Sequence, residues 1–200
     1  MKRIWMSLIL LLAVSAAPVV GGWLLYFNPH WLPDTRANRG ELIYPVVQLD
    51  GVALSDLNGD EVVLRNARGK WTMLLSAEQC GEICRQELWK TRQVRRALGE
   101  GRTRVERLLV LGAPPSKEFE AWLQSEHPEL RVTVPQGERL QLVKERLVLP
   151  GERFMGKLHV VDPMGSLMMR YPKQTPGEDM LMDMERLLKV SESWIADASH

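Results

Sequence analysis

The chain has 200 residues, with 26 Lys and Arg against 25 Asp and Glu, for a net charge of about +1. Apolar residues make up 45%, enough for one ordinary domain core plus accessory segments, and the charge balance excludes a strongly polyionic protein. The charge is uneven, since Arg85 to Arg107 holds eight Arg and Lys against three Glu, and Pro176 to His200 holds six acids against two bases.

After Met1-Lys2-Arg3, the run from Ile4 to Phe27 carries no charged side chain. A helix of that length rises about 36 Å, enough to cross a hydrocarbon core of about 30 Å. Pro18, Gly21 and Gly22 are tolerated in such a span, and Trp5 at one end with Trp23, Tyr26, Phe27 and Trp31 at the other fit an interfacial aromatic belt. A cleaved signal peptide is the competing reading, with Ile4 to Val14 as its apolar centre and Val14-Ser15-Ala16 as a small-residue cleavage site. The apolar run continues well past that point, which favours an uncleaved anchor. Lys2 and Arg3 place the N-terminus inside and the domain outside. In a Gram-negative host this is a single pass through the inner (cytoplasmic) membrane with the soluble domain facing the periplasm, where paired cysteines can oxidise.

The chain divides into an anchor over 1–27, a linker over 28–44 with Pro29, Pro33 and Gly40, and a domain over 45–200. The domain opens with short strands and turns at Asp50-Gly51 and Asn58-Gly59, the latter a strong hairpin signal. Trp71 to Ala77 reads as a central strand buried on both faces. Gly81 to Gly99 reads as a helix, Arg107 to Ala113 as a second buried strand, and Ser116 to Pro128 as an amphipathic helix capped by Ser116. A short strand at 130–135 follows. Lys157 to Pro172 then reads as strand, Asp162-Pro163-Met164-Gly165 turn and strand, and Glu178 to Ile195 as a closing amphipathic helix. The order predicts an α/β fold with a mixed sheet flanked by helices, preceded by one N-terminal transmembrane helix.

Cys80 and Cys84, the only cysteines, follow the first buried strand directly. Amide N–H groups and the helix dipole at a helix start stabilise a thiolate, the nucleophile of disulfide exchange and a soft ligand for Cu(I). Two buried structural thiols are the plainer alternative, and the absence of any other cysteine for a disulfide framework weighs against it.

The stretch GKWTMLLSAEQCGEIC resembles the active-site entry of the Sco/SenC family, membrane-anchored thioredoxin-fold proteins of cytochrome c oxidase assembly. The hairpin LSDLNGDEVVLRNARGKW resembles the family's strand pair before that entry, and the segment LHVVDPMGSLMMRYP and the closing LMDMERLL resemble its later strand–turn–strand and closing helix, so the similarity runs from about Val46 to Leu188. It implies a thioredoxin-like domain that assists copper-site biogenesis, with Cys80 as attacking thiolate, Cys84 as resolving partner, and the two as Cu(I) ligands. The implied partners are the membrane and a respiratory oxidase subunit or its assembly factors.

Two departures stand out. Gly81 and Arg85 occupy places where the family has proline, and the family's metal histidine falls near Phe154, where none is present. His159, three residues before Asp162, is a weak candidate for a third ligand through a shifted strand, and Met155 offers a thioether near the expected place. A non-catalytic, membrane-tethered scaffold protein of the assembly machinery is therefore the rival reading. A thiol peroxidase shares the fold, but its Thr/Ser and Arg surroundings are not recognisable. The basic stretch lacks interleaved aromatics apart from Trp89, and with the anchor this argues against nucleic acid. It reads as a solvated face or a dock for an acidic partner or anionic lipid, and the clustered methionines read as adaptable core packing.

Overall fold

The computed structural model describes residues 2–28, 38–49, 52, 54–62, 70–148 and 155–192, in two compact units divided between Ala37 and Asn38. The Asp50-Gly51 turn, His30, Trp31, Phe154 and His200 lie outside the described residues. The first unit is α1 (Lys2–Phe27), a helix of 26 residues whose stretch from Trp5 to Phe27 is long and apolar enough to cross a bilayer. Its described side chains pack almost nothing, which suits an apolar solvent around it.

The second unit is built on a six-stranded sheet. Its strands are β1 (Glu41–Gln48), β4 (Trp71–Ala77), β5 (Val105–Leu111), β6 (Leu130–Thr133), β7 (Met155–Val161) and β8 (Ser166–Tyr171), in the order β1-β8-β7-β4-β5-β6. β4, β5 and β6 run parallel, while β7 lies antiparallel to β4, and β8 and β1 continue antiparallel outward. A separate hairpin joins β2 (Leu54–Ser55) and β3 (Glu61–Val62). Its turn follows the Asn58-Gly59 expectation: the Asp56 carboxylate accepts the Asn58 and Asp60 amides, and Gly59 takes φ +89°. The strand β1 begins inside the stretch read as linker.

Strand alternation sends Trp71, Met73, Leu75 and Ala77 to one face and Leu74 to the other. On the first face lie α2 (Glu82–Ala97), α3 (Lys117–Glu126) and α5 (Gly177–Val190), whose Leu88, Phe119, Leu123, Met180 and Met184 close the larger core. On the second face α4 (Glu138–Leu147) packs through Val143 and Leu147, beside Leu54 and Val62 of the hairpin. Ser116 caps α3 by accepting the Phe119 amide at 3.2 Å, as its sequence predicts.

The later half of α2 is pinned by polar contacts. Arg107 of β5, almost fully buried, donates to the Leu88 carbonyl at 2.6 Å and to Thr91 Oγ1 at 3.2 Å. Burial, then the neighbouring Arg95 and Arg92, lower its pKa to about 10. Arg95 donates to the Val105 carbonyl at 2.7 Å, while Arg104, in the 3-10 turn that follows, reaches the Leu188 carbonyl and Ser191. Trp71 Nε1 donates to the same Ser191 hydroxyl at 3.0 Å.

The chain enters the domain through a second buried charge. The Asp183 carboxylate of α5 accepts the amides of Arg39, at 3.0 Å, and Gly40, at 2.8 Å, and the Tyr171 hydroxyl at 3.3 Å. Burial and this carboxylate push the Tyr171 pKa upward. Gly40 is required there, because a Cβ would lie 2.5 Å from the Met169 sulfur.

Candidate functional site

β4 and β5 end side by side at the centre of the sheet, and the loops beyond them are tied together. Gly112 N donates to the Ala77 carbonyl at 2.9 Å and Ala113 N to the Glu78 carbonyl at 3.1 Å. Ligand chemistry gathers at the carboxyl ends of such parallel strands. The chain bends at Glu78 and Gln79, passes Cys80, and enters α2 at Gly81, whose carbonyl accepts the Arg85 amide at 3.0 Å. Gly81 supplies no side-chain cap, so the amides of the first turn keep their donor capacity at the cysteines.

Cys80 and Cys84 are joined in a disulfide, with Cα atoms 5.1 Å apart. Their exposures differ. Cys84 is 4% exposed and part of the larger core, whereas Cys80 is half-buried at its edge. Cys80 is thus the more exposed of the two, and Cys84 lies within the first turn of α2. Beside the pair lies an open hollow of about 460 Å³, lined by Gly81, Ile83 and Cys84 together with the charged Glu78, Glu82 and Lys173. A Cβ on Gly81 would meet nothing within 4 Å, and Ile83 is 57% exposed. Glu78 is paired with Lys144 of α4 at 2.9 Å, so its charge is partly balanced.

His159 is not brought to the cysteines. It pairs with Leu74, three residues short of Ala77 along β4, and lies fully buried on the face opposite Cys84. That is about 10 Å along the strand and the thickness of the sheet away from the pair. Strand alternation explains this, since Leu158 and Val160 take the α2 face and His159 must take the other. Met155 opens β7 directly across from Ala77, at the cysteine end of the sheet. Among the described residues no three or more His, Cys, Asp and Glu side chains gather to hold a metal ion. A Cu(I) cargo would have the two sulfurs of the reduced pair.

Two features escaped the sequence reading. Arg85, next after Cys84, holds its guanidinium over Phe119 and Trp122 of α3, with Cζ 4.9 Å from each ring centroid. Those two rings are themselves stacked at 5.4 Å. His127, which ends α3, is 3% exposed, stands edge-on to Trp122 at 4.8 Å, and has no hydrogen-bond partner at either ring nitrogen among the described residues. Burial, then Arg107 and Arg92, lower its pKa to about 4. Aromatic and basic residues at helical spacing were visible in the sequence; which helix they would meet was not.

A parallel strand delivering a cysteine pair to the start of a helix, in a mixed sheet with helices on both faces, defines a thioredoxin-fold protein with an oxidised Cys-x-x-x-Cys site. The chain belongs to the family described as transmembrane-like, thioredoxin-like, C-terminal domain, whose model matches residues 71–191. Its fold is that of Sco proteins. The apo Sco1 of Thermus thermophilus superposes with a TM-score of 0.61 at 18% identity, covering 78% of this chain and 99% of that one. The copper-bound ScoI of Bradyrhizobium japonicum gives 0.51 at 18% identity, covering 70% and 96%. A thiol:disulfide interchange protein from a Bacteroides species gives 0.53 at 16% identity, covering 80% and 97%. No curated protein matches the sequence. The Sco/SenC resemblance thus holds in the architecture, and the chain carries a single described helix of membrane-spanning length.

Proposed function

We propose that the chain is a membrane-anchored thiol–disulfide exchange protein acting on the cysteines of a copper site during assembly of a respiratory oxidase. The observation that carries the reading is the asymmetric disulfide, with Cys80 accessible and Cys84 buried in the first turn of α2. A partner thiolate attacks Cys80 Sγ, the Cys80–Cys84 bond breaks, and the electron pair leaves on Cys84 Sγ. A second partner thiolate then attacks the mixed disulfide, leaving the partner oxidised and this chain with two thiols; the two protons from the partner's thiols pass to solvent or to the new thiols. In the reverse direction Cys80, the accessible thiolate, attacks and Cys84 resolves. The reduced pair also offers two soft donors to Cu(I). On this reading α1 anchors the domain in the inner membrane, with Lys2 and Arg3 inside and the domain in the periplasm, and the partner is an oxidase subunit or its assembly factors.

The test uses the full chain in lipid nanodiscs. The Cys80/Cys84 couple is equilibrated against glutathione buffers, and Cu(I) is titrated into the reduced protein against a competing chelator, with Cys80→Ser/Cys84→Ser alongside. A reversible two-electron couple is the expected result, and cysteine-dependent Cu(I) uptake adds the cargo role. A pair that no physiological poise reduces, in a chain whose double variant still supports oxidase assembly, turns the assignment to the scaffold reading. The displacement of His159 to the far face of the sheet favours exchange over copper carriage as the primary role.

A further inference from the structure

The five bases of α2, set against two acids, are not distributed evenly around the helix. Arg85, Trp89, Arg92 and Arg96 stand at i, i+4, i+7 and i+11, which puts them in one stripe. The stripe starts at the residue after Cys84 and runs about 16 Å along the helix. From Arg85 onward it contains no acid, while Glu82, three residues before Arg85, stands at its cysteine end. Trp89 is 59% exposed and Arg96 is exposed with no ion-pair partner among the described residues. Arg85 is held in place by the Phe119 and Trp122 rings rather than by a carboxylate, and only Arg92 has an acidic partner, the exposed Glu126 at 3.3 Å.

Each of these side chains costs something to leave as it is. An indole presented to water forgoes apolar burial, and an ordered guanidinium on aromatic rings has already lost most of its rotamer freedom. Trp and Arg are also the residues most concentrated in the energetic centres of protein interfaces. A line of positive charge around one flat aromatic surface complements an acidic segment. Its length equals about five residues of extended chain.

We propose that the Arg85–Trp89–Arg92–Arg96 stripe docks an acidic segment of the protein that exchanges thiols with Cys80 and Cys84, within about five residues of that partner's cysteine. The proposal rests on the exchange reading above. It adds what selects the partner: the hollow and the disulfide accept a thiol, and the stripe decides whose thiol arrives.

The experiment uses the full chain in zwitterionic nanodiscs and two synthetic dithiol peptides. They share one Cys-containing centre and differ only in four flanking residues, Asp and Glu in one, Lys and Arg in the other. At low salt the acidic peptide is expected to reduce the disulfide about tenfold faster or more, and about 0.5 M salt is expected to remove most of the difference. Arg96→Glu and Trp89→Ala should each erode the preference while leaving the rate with dithiothreitol unchanged. Equal rates for the two peptides, or a preference that survives Arg96→Glu, overturn the docking surface and leave the exchange reading intact. A fluorescence blue shift on phosphatidylglycerol vesicles that Trp89→Phe removes, without any peptide preference, overturns it in favour of lipid. A disulfide inert to dithiothreitol and to both peptides removes the exchange reading, and the docking proposal with it.

Discussion

The two ends of α2 are built on opposite principles. Around its later half the polar groups are committed: Arg107 to Leu88 and Thr91, Arg95 to Val105, and Arg104 and Trp71 to Ser191. At its start, Gly81 leaves the first-turn amides uncapped, an open hollow adjoins the turn, and the turn is held by Arg85 on its two rings and by a covalent bond that can be reversed. The difference shows how one helix serves two ends. The fixed half holds the axis in place, so that breaking the disulfide changes charge and access at the first turn without unseating the helix.

The comparison can be broken most severely at the fixed end. Trp71→Ala removes a fully buried indole and its bond to Ser191, and should cost about 3–5 kcal/mol in urea unfolding. Acid attacks the same end more gently. His127 titrates at about 4 when folded against about 6.5 when unfolded, so the unfolded chain takes up the proton first. Stability is therefore intact above about pH 6.5 and falls as pH drops toward 4, by up to about 3 kcal/mol. His127→Leu should flatten that part of the stability–pH curve.

The reactive end responds less. Reducing the disulfide opens a very short loop and should lower stability by at most about 2 kcal/mol, leaving the far-UV circular dichroism unchanged. Gly81→Ser is the finest probe. Its hydroxyl can cap the Ile83 or Cys84 amide and should add about 0.5 kcal/mol of stability. The same bond takes a donor away from the sulfur, so the pH midpoint for Cys80 alkylation in the reduced protein should rise.

What could be read from the sequence followed from short-range physics. The apolar run of β4, the Ser116 cap and the Asn58-Gly59 and Asp162 turns are local signals, and each element formed where its residues said it would. In the last of these the Asp162 carboxylate accepts the Met164 and Ser166 amides. The helix α4 was missed because it lacks such signals. It starts at Gly137 with φ +58° and no capping side chain, and of its ten residues only Val143 and Leu147 are buried. The cysteine pair was legible, since strand and helix both pointed to it. The faces of the sheet were not. A period of two tells that His159 opposes its neighbours without telling which side faces Cys84. Arg107 and Asp183 looked like members of a basic and an acidic stretch, and only tertiary packing turned them into buried clasps.

The Asp183 clasp also has a mechanical meaning. Whatever pulls on the segment before Asn38 meets its first resistance at the Arg39 and Gly40 amides, held by α5, and then at β1 on the edge of the sheet. That edge is three strands from β4, about 14 Å at ordinary strand spacing. Gly177, where α5 begins, lies against Lys90 and Val94, in the later half of α2. Tension applied at Asn38 therefore reaches α2 at its later half, where it is already bolted down, and the turn that carries the sulfurs lies off that path.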